Sequence, residues 1–203
     1  MKKSILSVAV VVVCGLMVAV ASAAEKVAQA PNPAYKIWSQ FKVGSSVTYK
    51  NEMEIKVDAA DAAAMPPRPS MTMTRKLVEL TPEKAVIETA MTMNMNGQER
   101  TMPAQRQDVL ATVDADKASA SAYFQSSQMP GTVSDIKEGD EDATVMGKTL
   151  KCHTFSATMT QNTMKMQIKI WINSDTPGGM VKTENRSDQM NSTMTLTAVN
   201  IAK

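Results

Sequence analysis

Two kinds of side chain in this sequence could do chemistry, and methionine is the commoner. Of its 203 residues 18 are Met, far above average usage. Several recur in step: Met71 and Met73; Met91, Met93 and Met95; Met164 and Met166; Met190 and Met194. Even spacing on a strand puts the members of each set on one face. Thioethers so gathered suit two tasks. As unbranched, polarizable groups they can repack around a flexible apolar guest; as soft sulfur ligands they can hold Cu(I). The second task would fall to Met71, Met73, Met91, Met93 and Met95. The first extends to neighbours that no metal needs, and its apolar face comprises Met91, Met93, Met95, Met164, Met166, Ile168, Ile170, Met190, Met194 and Leu196. A third reading needs no ligand, because burying a Met side chain contributes about 1.5–3 kcal/mol by itself.

The other kind is the titratable and nucleophilic group, and here the chain offers little. Its single His153 follows Cys152 directly. Adjacent residues of a strand point to opposite faces, so the two cannot form a Cys/His nucleophilic pair there. Two such residues also fall short of the four ligands of a structural zinc site. Glu138, Asp140, Glu141 and Asp142 flank a glycine as a solvated turn would. No P-loop, dinucleotide fingerprint, H-E-x-x-H or G-x-S-x-G is present. The expectation is a non-enzymatic protein with no cofactor and no resident metal.

The elements that must position these residues follow from pattern. Lys2-Lys3, an apolar run over 5–20 and Ala21-Ser22-Ala23 read as a cleaved secretory signal over 1–23. A periplasmic or secreted location and no transmembrane anchor after cleavage follow from it. Lys and Arg total 22 against 20 acidic residues; loss of Lys2 and Lys3 leaves the charges balanced, which argues against nucleic acid as a partner. Residues 24–34 read as a flexible lead and 35–203 as one β-rich domain large enough to hold a core without disulfides. Cys152, the one thiol left, reads as a buried small apolar residue.

Tyr35, Ile37, Trp38 and Phe41 before Gly44 predict one or two helical turns acting as an apolar plug. Strands follow over 46–57, 70–80, 85–95 and 98–113, with Asn96-Gly97 as a two-residue turn. Pro103 makes the last of these bulged or an edge. The segment 58–69 reads as a loop that could hold a short helix, and 116–128 as a short helix or ordered loop. Further strands cover 141–145, 150–160, 164–173, 180–185 and 190–201, with turns at Gly147-Lys148, Gln161-Asn162 and Pro177-Gly178-Gly179. Met164, Met166, Ile168, Ile170 and Ile172 alternate with Lys165, Gln167, Lys169 and Trp171, so Trp171 is expected on the wet face, in a cross-strand aromatic contact or as a docking spot. Eight to ten strands with at most two short helices cannot cover a flat sheet with helices. The predicted fold is therefore all-β: a curved antiparallel meander forming a half-barrel or incomplete barrel.

Trp38-x-x-Phe41-x-x-Gly44, the strand from Thr74 to Thr81, Gly147-Lys148-x-x-Lys151-Cys152, and Trp171-Ile172-x-x-Asp175-x-Pro177-Gly178-Gly179-x-Val181-Lys182 resemble a group of functionally uncharacterised exported bacterial proteins. Those proteins resemble the lipoprotein-carrier (LolA/LolB-like) half-barrel architecture. The resemblance implies a concave apolar cavity of the kind that holds acyl chains in those carriers. The expected partner is thus a lipid or other apolar small molecule; no protein partner is legible.

Overall fold

The computed structural model describes residues 28–56, 70–95, 98–115 and 132–203. Their elements are β1 (Gln29–Pro31), α1 (Pro33–Trp38), β2 (Ser46–Ile55), β3 (Ser70–Leu80), β4 (Lys84–Met95), β5 (Gln98–Leu110), β6 (Thr112–Asp114), β7 (Thr132–Val145), β8 (Lys148–Gln161), β9 (Met164–Ile172), β10 (Met180–Arg186) and β11 (Met190–Asn200). Nine strands form one antiparallel sheet in the order β5-β4-β3-β2-β11-β10-β9-β8-β7, and β1 pairs with β6 beside it. The sheet is two meanders, β2 to β5 and β7 to β11, fused where the last strand pairs with β2. It does not close into a barrel, and its edges are β5 and β7.

Alternation explains why these segments are strands, and a short helix shows how the sheet bends. Asn32 caps α1, its side-chain oxygen accepting from the Ala34 N–H, and Pro33 fits the first helical turn. The helix lies against β4 and β5 and sets Trp38 beneath Arg75 of β3. It also brings Ile37 to Gly179, where Ile172 of β9 arrives as well. In a flat sheet six strand spacings would hold β5 and β9 about 29 Å apart, whereas a helix of this length spans about 9 Å. The sheet must therefore curl around α1. Trp38, Val47, Tyr49, Leu77, Ile87 and Leu196 form the core on that side, continued by Ile37, Phe155, Ile168, Ile170 and Ile172. The expected curved half-barrel and its helical plug are both present.

Pro103 falls where β5 gains a residue against β4, between the pairs Thr89 with Gln105 and Met91 with Met102, and β5 is an edge strand. Both options for a proline in a sheet are realised together.

The structure departs from expectation at four places. First, the lead is not wholly a tether: Gln29–Pro31 pairs with Thr112–Asp114, and the Asn32 N–H donates to the Ala111 carbonyl. Three residues carry no periodicity, so pattern could not reveal them. Second, β7 begins at Thr132, well before 141, because its first half is a polar, exposed edge. Third, two turns sit one residue away from the expected dipeptides. Met146 and Gly147 both take positive φ, as does Asn162 after the end of β8. Fourth, Trp171 is not on a wet surface; it is 6% exposed. The expected leader, the segments 58–69 and 116–128 and the Asn96-Gly97 turn lie outside the described residues. Among the described residues no helix is long and apolar enough to cross a membrane.

Candidate functional site

Residues directly opposite one another in a ladder share a face, so register decides which side chains the concave wall carries. Met71 faces Met93 and Met73 faces Met91, which in turn faces Met102. Tyr49 faces Met73 on one side and Leu196 on the other. Met194 lies opposite Asn51 and Met190 opposite Ile55. Thr183 and Asn185 carry the face from β11 to Ile170 and Ile168. Ile170 and Ile168 pair with Phe155 and Ala157, Met166 with Met159, and Met164 with Gln161. The candidate apolar residues of β3, β4, β9 and β11 thus register on one side, the side that α1 occupies. Met95 ends β4 opposite Gln98.

The wall has two zones. Around α1 it is packed solid: Tyr49, Leu77 and Ile87 are fully buried. Tyr49 donates its hydroxyl to the Met180 carbonyl at 3.0 Å, and burial pushes its pKa up to about 12 against a smaller lowering by Arg75. Farther along the strands Met71, Met91, Met93, Met102, Met190 and Met194 are only partly buried, and Met164 is exposed. Sequence reasoning omitted Met102 and Met159, which lie on β5 and β8 rather than in a recurrent Met pair. It also passed over Arg75, whose odd position within β3 places it on the same face as Met73 and Leu77.

The opposite face differs in kind. There Trp171 packs with Ala143, Val145 and Cys152, because β7, three places from β10 in strand order, leans back to meet β10 and β11. Lys169 and Lys182 cap the indole ring, each ammonium 4.9 Å from its centroid. Lys169 is paired with Glu141, whose pKa is lowered chiefly by that hydrogen bond. Beside them opens a cavity of about 490 Å³, lined by Lys137, Ser156, Thr158, Gln167, Arg186 and Trp171 among others. Arg186 is paired with Glu184, which also takes Lys182. The cavity mixes charged and polar groups with Ala157, Ile168 and Trp171, and no methionine lines it, so thioether ligation has no place there.

Cys152 and His153 part company as strand geometry requires. Cys152 is buried, its thiol donating to the Leu150 carbonyl, and burial raises its pKa. His153 projects on the other side, Nδ1 at 2.9 Å from Asp140 and Nε2 at 3.4 Å from Glu138, its ring edge-on to Phe155 at 4.7 Å.

The class that this geometry defines is an open all-β half-barrel with a thioether-rich inner wall. No protein-family model matches the chain, and no curated protein matches it in sequence. Among solved structures the chain is similar to a Bacteroides fragilis protein described as exported, with a YmcC-like fold. The TM-score is 0.47 at 10% identity, covering 79% of this chain and 97% of that one. It is also similar to the Mycobacterium tuberculosis lipoprotein LppX, with a TM-score of 0.42 at 10% identity, covering 83% of this chain and 98% of that one.

Proposed function

We propose that this is an exported, non-enzymatic envelope protein whose inner sheet wall binds or shields apolar, lipid-like material. The observation that supports this reading is the register of β2 to β5 and β11. It sets Met71 against Met93, Met73 against Met91 and Met91 against Met102, with Met194 nearby, on a concave face that, among the described residues, α1 fills at one end. A wall needed only for packing would be covered along its length, yet these residues stay partly exposed. Thioethers adapt to chains of differing shape at small cost in strain. The test is native mass spectrometry of protein isolated without detergent. A lipid-sized adduct is expected, lost in Met93→Glu while the β-sheet circular dichroism persists. Protein free of any adduct that also fails to bind added apolar dyes would overturn the reading.

The cross-strand pairing of Met71 with Met93 and of Met73 with Met91 favours a second reading, Cu(I) held by thioethers. Stoichiometric Cu(I) retained by the wild type and lost on replacing Met71, Met73, Met91 and Met93 together by Leu would select it. Retention of apolar dye by that same variant would separate the two.

A further inference from the structure

Arg75 stands on the inner wall at the boundary between the packed zone and the methionine zone. Its ladder neighbours are Val47 on β2 and Thr89 on β4, and along its own strand the same face carries Met73 and Leu77. The guanidinium carbon lies 5.8 Å from the Trp38 ring centroid, so the plug helix backs it. Among the described residues no carboxylate and no hydrogen-bond acceptor pairs with it. The register explains why. From β2 to β5 and from β9 to β11 every described strand carboxylate, from Glu52 and Glu54 on β2 to Glu88 on β4 and Glu184 on β10, falls on the opposite face. The inner face carries its strand acids, Glu138, Asp140 and Asp142, on the far edge strand β7, where His153 engages the first two. Burial holds Arg75 below the usual arginine pKa, with the Tyr49 hydroxyl opposing. Arg75 is partly buried; a charge partly withdrawn from water with no anionic partner is costly, and guanidinium presents a fork of donors suited to carboxylate and phosphate oxygens.

We propose that Arg75 is the anchor for the anionic headgroup of a single-chain amphiphile, with its hydrocarbon lying along Met73, Met91, Met71 and Met93 toward the open end of the wall. The inference rests on the apolar-binding reading and names the ligand class for the same site: an apolar chain ending in a carboxylate or a phosphate. Thr89, opposite Arg75, offers a hydroxyl to the same headgroup. From Arg75 to Met71 the strand runs about 13 Å, so the chain would lie along methionine for much of its length.

Three probes of equal chain length test it: palmitate, hexadecyl phosphate and hexadecanol. They are titrated at mildly alkaline pH into protein purified after expression of the full chain. The wild type is expected to bind one or both anions at least ~10-fold more tightly than the alcohol, the scale of a charge-assisted hydrogen bond. Whichever anion is preferred identifies the headgroup. Arg75→Met should bind all three alike, and Arg75→Lys should restore part of the preference. Thr89→Glu places a carboxylate opposite the guanidinium and should abolish the preference as well, which keeps the test open should Arg75→Met fail to fold. Equal binding of the three probes by the wild type, or a preference that survives in Arg75→Met, would overturn the anchor and leave the apolar-binding reading standing. A wild type that binds none of them would overturn both.

Discussion

Gly178 shows how much one missing methyl matters. Its φ is +74°, and a Cβ added there would lie 2.6 and 2.9 Å from two Trp38 ring carbons. Gly179 is placed similarly against Ile37. The β9–β10 turn thus closes onto the plug helix by backbone contact that no side chain can share. Gly178→Ala should cost about 2–4 kcal/mol, from the left-handed backbone and from displacement of a fully buried indole. A lower urea midpoint at unchanged m-value would report it. The sequence marks Pro177-Gly178-Gly179 as a turn with unusual angles, but not its partner, because contact with Trp38 is a product of tertiary folding. His153 carries a second consequence at this scale. The Asp140 hydrogen bond, and Glu138 after it, raise its folded pKa above the ordinary value, against a lowering by burial. The imidazolium therefore stabilises the fold fully below the unfolded pKa of about 6.5, and this contribution fades as pH rises through the raised folded value. With the ring 43% exposed, solvent screening limits the effect to less than about 1 kcal/mol. Urea midpoints should fall slightly from mildly acidic to mildly alkaline pH, and His153→Gln should flatten that slope.

At the scale of elements, the legible parts are those whose two faces differ. The strands β2, β3, β4, β9 and β11 alternate because one side meets α1 or the inner core and the other, apart from Trp171 at the end of β9, is largely polar, and their limits lie close to those that periodicity predicts. The illegible parts lack that contrast. β1 and β6 have three residues each, and the first half of β7, apart from Val133, is largely exposed. The Met146-Gly147 turn lies one residue early because buried Ala143 and Val145 fix the register of the β7–β8 hairpin, which leaves Met146 at positive φ. Trp171 was illegible for a related reason. Alternation gives it a face, but not the fact that β7, two places from β9 in strand order, leans back to cover that face. α1 is short enough to have little stability of its own, so its place depends on Trp38 and Ile37. Trp38→Ala should remove about 3–5 kcal/mol, seen as a large drop in thermal midpoint with loss of the near-ultraviolet signal of a packed indole.

At the scale of the molecule, the described residues leave an open sheet with two edges and a stretch of wall whose methionines are partly exposed. Both edge strands are polar: β5 carries Glu99, Arg100, Arg106 and Asp108 with Pro103 at its bulge, and β7 carries Lys137, Glu138, Asp140, Glu141 and Asp142. Such edges resist pairing with a second chain, and among the described residues the methionine zone inside the curve is an apolar surface that calls for cover. Among the described residues, packing of α1 protects one end of it. A guest that fills the remainder would bind the folded chain and not the unfolded one, and by mass action would add to stability in proportion to the logarithm of its concentration. At about a hundred times its dissociation constant the gain is ~2.7 kcal/mol, which for a domain of this size raises the melting temperature by about 5–10 °C. Protein stripped of bound lipid should therefore melt lower than protein as isolated, bind an apolar dye, and regain the higher midpoint as a long-chain amphiphile is titrated back while the dye is displaced. A midpoint indifferent to stripping and to added amphiphile would mean that the wall is stable bare, leaving the thioethers as packing alone.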